Sequence, residues 1–119
     1  MKATVVVDNR GNGILSGEWG LGIYIEYGEK HILLDTGASD LFVQNAEKLG
    51  LDLTAVDAAV LSHAHYDHAN GMEAFFRCNS RAEFYVGHTC GADCYYKKLF
   101  LRRYIGVPKT GVQDFRDRI

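Results

Sequence analysis

The stretch Ala58 to Leu61, "AAVL", is a short continuous apolar run. It breaks into "SHAHYDH", which places three of the chain's five histidines and one aspartate within the six positions His63 to His68. An apolar run of this length that turns polar at once reads as a strand ending at the histidines. The spacing restricts the backbone further. On a helix, residues two apart point away from each other, whereas on extended chain they share a side. His63 and His65, with only Ala64 between them, therefore belong to the strand end or the loop beyond it, and the next helix begins near Asp67.

Around this junction strand and helix signals interleave. "ATVVVDN" reads as a first strand and the glycine-rich "RGNGILSGEWG" as a loop. "LGIYIEY" (21–27) and "HILLDTG" (31–37) flank "GEK", which predicts an antiparallel hairpin. In its first strand Ile23 and Ile25 alternate with Tyr24 and Glu26, so one face can be buried while the other keeps polar groups. Ser39 or Asp40 can cap a helix through "LFVQNAEKLG", with Leu41, Phe42, Ala46 and Leu49 as its apolar stripe and Gly50 as its stop. Met72, Ala74, Phe75 and Phe76 supply the apolar side of the helix after Asp67. "AEFYVG" reads as a strand, and "ADCYYKKLFLRRY" as a helix that buries Tyr95, Leu99 and Tyr104. The order predicts an α+β layered domain, and 119 residues with 47% hydrophobic content suit one domain or part of one.

A formal net charge of -2 offers no long-range attraction to nucleic acid or anionic lipid, so any basic patch must be local. No apolar run approaches the roughly 20 residues of a membrane span. The N-terminal apolar run is too short for a signal-peptide core. Cys78, Cys90 and Cys94 lack a disulfide-framework spacing. A cytoplasmic protein with reduced thiols follows, with neither nucleic acid nor membrane expected as partner, and a small-molecule substrate expected on the strength of the histidine motif.

Imidazole nitrogens and carboxylates are donors that zinc takes readily, and ferrous iron or manganese accepts the same mixture. His63 and His65 can converge on one point, while the adjacent Asp67 and His68 can reach a second point close by. Two metals roughly 3.5–4 Å apart can hold and acidify a shared water. A surface loop that merely happens to be rich in histidine is the competing reading. Spacing, residue type and position after an apolar strand together outweigh it.

"HAHYDH" matches the His-x-His-x-Asp-His signature of the metallo-β-lactamase superfamily, and "LLDTG" matches its upstream Asp-Thr-Gly strand end. The resemblance implies an αββα sandwich of which this chain carries the N-terminal half, and a metal-dependent hydrolase activity. It implies one or two zinc ions, with His63 and His65 on one metal and Asp67 and His68 on the other. Asp67 would also act in catalysis by helping to orient the attacking water, and Asp35 would orient ligands from behind. Histidine at position 65 sets the chain apart from the flavodiiron branch, which carries glutamate there. "WGLGIYIEY", "NAEKLGLDL" and "YIGVP" further resemble the subgroup of dihydropterin ribofuranosylaminobenzene phosphate synthase-like proteins.

A complete member of that family draws three further ligands from its second half, and residues 1–119 read as a single partial domain without them. Two expectations compete. The first is a hydrolase attacking an ester, amide or phosphoester; the second is a half-domain without catalysis that binds metal weakly or acts only with a partner chain. Loss of the opposing sheet predicts a homo-oligomer or a complementing chain. His88, at a strand end, either faces the metals or caps the following turn. Cys90 and Cys94 read as small thiols, Trp19 as an anchor for the loop, and His31 as solvent-facing. Lys97, Lys98, Arg102 and Arg103 read as a solvated face.

Overall fold

The computed structural model describes residues 1–88, 94–109 and 112–119. Five strands form one sheet in chain order: β1 (Lys2–Val7), β2 (Gly22–Tyr27), β3 (Lys30–Leu34), β4 (Ala58–Val60) and β5 (Glu83–Tyr85). β1, β2 and β3 pair antiparallel, whereas β3, β4 and β5 run parallel. The two parallel steps need crossovers, and helices supply them. α1 (Leu41–Lys48) with a 3₁₀ turn at Leu53–Ala55 joins β3 to β4, and α2 (Tyr66–Ala69) with α3 (Met72–Cys78) joins β4 to β5.

Helix and sheet share one core. Tyr24, Leu33, Ala59 and Phe84 from successive strands meet Phe42 and Ala46 of α1 and Met72, Phe75 and Phe76 of α3, all buried. Two buried asparagines stitch the crossovers to the layer beneath. The Asn45 amide nitrogen donates to Val6 and Ser16 carbonyls at 2.8 Å each. That of Asn79 donates to Leu53 and Val56 carbonyls at 2.9 Å, while its oxygen accepts from the Arg81 and Ala82 backbone N–H groups. Each fills backbone acceptors that would otherwise be stranded away from water.

The strand β2 presents the opposite face to the one its isoleucines suggest. Tyr24 is the core residue, 2% exposed, and its hydroxyl donates to the Asp52 carbonyl at 3.2 Å. Ile23 and Ile25 are half-buried on the far side. There they join two apolar rows in register across the sheet: Ala3, Ile25, Ile32 and Ala58, and Val5, Ile23, Leu34, Val60 and Tyr85. Val5 and Tyr85 stand 47% and 56% exposed, so this second face lacks the cover that the helices give the first.

The helix expected over residues 92–104 is a hairpin, β6 (Tyr95–Lys98) and β7 (Leu101–Tyr104), paired antiparallel. A stripe of Tyr95, Leu99 and Tyr104, spaced four and five residues apart, suits a helix only if some surface receives it. The pairing instead sets Tyr95 edge-on against Tyr104, ring centroids 5.4 Å apart, with the Arg102 guanidinium 3.7 Å over the Tyr95 ring. Aromatic cross-strand contacts of this kind stabilise a sheet pair. The helix expected from Asp67 onward also breaks in two at Asn70 and Gly71. Trp19, expected as a packed anchor, is 66% exposed, while His31, expected to face solvent, is half-buried with its ring 5.5 Å from that of Tyr24.

Candidate metal centre

The carboxyl ends of β3 and β4 lie side by side, and the loops leaving them converge. That is where open sheets with parallel strands gather their ligands. Asp35 follows β3 with φ 58, a left-handed value that aspartate tolerates better than most residues. This turn swings its side chain, fully buried, under the loop after β4. Oδ1 accepts from the Ser62 backbone N–H at 2.7 Å and Oδ2 from the Ser62 hydroxyl at 2.6 Å. Oδ2 also lies 2.7 Å from His68 Nδ1. A carboxylate at that atom keeps the proton on Nδ1 and leaves Nε2 with its lone pair outward.

Three rings then come together. His63 stacks obliquely on His68 with centroids 4.1 Å apart and meets His65 edge-on at 4.6 Å. His63 and His65 lie in the loop beyond β4, as expected, but a tight turn rather than extended chain brings their rings together, the His65 N–H reaching the His63 carbonyl at 3.0 Å. His63 Nδ1 is 2.9 Å from the Ser62 hydroxyl. Burial holds His63 below the usual imidazole range, and the adjacent His68 and His65 push it the same way. That favours the neutral, ligating form. Asp67 Oδ2 is 3.8 Å from His68 Nε2, so its carboxylate borders the cluster.

The donors therefore suit a divalent transition metal in kind and in nearness. They do not form a closed shell: among the described residues no three His, Cys, Asp or Glu side chains converge on one cation position. His88 is exposed beyond β5 and, among the described residues, makes no ring contact with the three imidazoles. Cys90 lies outside the described residues, and Cys94 is half-buried.

Backbone close to van der Waals limits holds the loop in place. Thr36 donates twice to the His68 carbonyl, through N–H at 2.8 Å and hydroxyl at 3.0 Å, and the Leu21 N–H donates to the Asp67 carbonyl at 3.3 Å. A Cβ at Gly20 would sit 2.4 Å from the Asp67 carbonyl oxygen. Glu18, which the sequence reading passed over, braces the segment after Asp35. Its carboxylate accepts from the Ala38 and Ser39 N–H groups at 2.9 and 3.1 Å and from the Ser39 hydroxyl at 2.6 Å. An acid isolated among glycines was the available signal.

The family model described as the Metallo-beta-lactamase superfamily matches residues 20–110. This chain belongs to the metallo-beta-lactamase superfamily. The superfamily chain is 29% identical to Tm1679, a metal-dependent hydrolase of the beta-lactamase superfamily, with a TM-score of 0.67 over 92% of this chain and 38% of that one. A metallo-beta-lactamase from Cronobacter sakazakii, a mutant of its HARLDQ motif, is 27% identical with a TM-score of 0.51 over 58% of this chain and 28% of its own. The uncharacterized protein MJ0448 of Methanocaldococcus jannaschii is 28% identical over 103 residues, 87% of this chain and 39% of that protein. The superfamily chain thus spans less than two-fifths of the length of these relatives. Its α+β architecture agrees with the superfamily fold over the part it covers.

Proposed function

We propose that this chain carries the first set of metal ligands of a metal-dependent hydrolase acting on an ester, amide or phosphoester. The observation that supports it most directly is the buried Asp35 carboxylate bonded to His68 Nδ1, with the His63 ring lying against that of His68 and the His65 ring against that of His63. His63 and His65 would hold one divalent cation and Asp67 and His68 a second, zinc being the first choice and ferrous iron or manganese also compatible with the donors. A bound cation supplies Lewis acidity, polarising the bond under attack and acidifying water. The chain's own part is positional. Asp35 and Ser62 fix the imidazoles, Thr36 fixes the loop backbone, and Asp67 offers a carboxylate that can accept a proton or orient an attacking water.

Metal stoichiometry measured beside turnover of a nitrophenyl ester and a nitrophenyl phosphodiester tests this reading. The expected outcome is metal-dependent turnover that His63→Ala and His65→Ala abolish. A second reading is favoured by the open coordination shell and by the chain's small share of its relatives: a half-domain whose site is completed by residues outside it. Metal uptake without turnover, restored by a complementing segment, would select that reading.

A further inference from the structure

The β6–β7 hairpin has an exterior that the metal centre does not use. Its two-residue turn carries Leu99 and Phe100, with Leu101 opening β7 beside them; the two leucines are 81% and 77% exposed and Phe100 is wholly so. Leu99 sits at φ 52, in the left-handed region where a two-residue hairpin turn prefers glycine or asparagine. Among the described residues the fold gains no burial from a leucine there and takes on backbone strain by keeping it, which points to contact beyond the described residues.

Behind the tip, every charged residue between Cys94 and Lys109 is a cation. Lys97 and Arg102 face each other in register, an arrangement that like charges disfavour. Among the described residues neither they nor Lys98 and Arg103 form an ion pair. Strand residues alternate sides, so Lys97 and Arg102 occupy one face of the hairpin and Lys98 and Arg103 the other. The result is a collar of positive charge around an apolar point. A small anion or a flat protein surface would engage one face of the hairpin, whereas a collar suits entry tip first. Tyr96, 54% exposed, stands three residues behind the turn, roughly 10 Å back, where tyrosine rings gather at membrane interfaces.

We infer that this hairpin seats the protein on an anionic lipid surface, with Leu99, Phe100 and Leu101 in the headgroup–acyl boundary and the cations at the level of the lipid phosphates. The net negative charge of the whole chain turns its other sides away from such a surface, which makes the hairpin the leading edge. The contact is peripheral and needs no metal.

Co-sedimentation with phosphatidylcholine vesicles containing about a third phosphatidylglycerol tests it, with phosphatidylcholine alone as the second arm. Binding to the anionic vesicles only, released by salt and weakened about ten-fold in Phe100→Asp and in the double variant Lys97→Gln/Arg102→Gln, is the expected result. These side chains are exposed, so an unchanged circular dichroism spectrum identifies variants that have kept the fold. No binding by the folded wild type, equal binding to neutral vesicles, or undiminished binding by Phe100→Asp overturns the inference. So does self-association that Phe100→Asp abolishes, or RNA binding that strips the protein from vesicles.

Discussion

At the scale of single residues the decisive group is Asp35, whose carboxylate accepts from two groups of Ser62 and holds His68 by Nδ1. Asp35→Asn keeps a side chain that tolerates the left-handed backbone but loses the charge that sets the His68 tautomer. Zinc affinity measured by competition with a chelator is expected to fall about 10–100-fold, with the fold intact. An unchanged affinity would remove Asp35 from any ligand-orienting role. His63 gives a pH prediction for the metal-free chain. Its pKa is depressed by burial first and by its histidine neighbours second, so the unfolded chain binds the proton more readily than the folded one. Stability is therefore retained above the ordinary imidazole value of about 6.5 and declines as pH drops below it. Urea midpoints compared across that range should show a smaller decline in His63→Ala than in the wild type.

At the scale of elements, the break between α2 and α3 is a packing requirement. A Cβ at Gly71 would stand 2.3 Å from the Thr36 carbonyl oxygen and 2.7 Å from the Phe42 ring, so only glycine lets the helix junction press on the loop after β3. Gly71→Ala is expected to destabilise by about 1–3 kcal/mol in chemical denaturation, the range for overpacking a tight site. Gly13 offers the control, since a Cβ there meets nothing within 4 Å. Gly13→Ala should leave the midpoint nearly where it was. Equal effects at both positions would show that the junction yields more easily than its packing implies.

At the scale of the whole molecule the helices cover one side of the sheet, and the other carries two rows of apolar side chains in register. An apolar face of that extent favours association with another surface. Sedimentation velocity of the chain at rising concentration is expected to show self-association. Ile25→Lys should diminish it while sparing the helix-side core, because Ile25 points away from that core and lysine can keep its charge in water. A wild type that stays monomeric throughout would refute this use of the face. The described residues contain no helix long and apolar enough to cross a membrane.

Much of the candidate site was legible from residue order alone. The two-residue spacing of His63 and His65 and the apolar run before them placed both on a non-helical loop after β4, and there their rings meet edge-on at 4.6 Å. The Asp35 strand end was legible through the resemblance of "LLDTG" to the superfamily's Asp-Thr-Gly, whereas its bonds to Ser62 and His68 were not. Local pattern could not decide which face of β2 turns inward, since Tyr24 and the isoleucines are both apolar enough; the helices on one side of the sheet decided it. Nor could it tell hairpin from helix at Tyr95–Tyr104, where strand and helix periods both fit a sequence of paired aromatics and cations. Chain order determined that His63, His65, Asp67 and His68 share one short segment, because that depends on neighbours a few residues apart. Which surfaces are covered was decided by the tertiary structure, because burial depends on elements far apart in the chain coming to lie against each other.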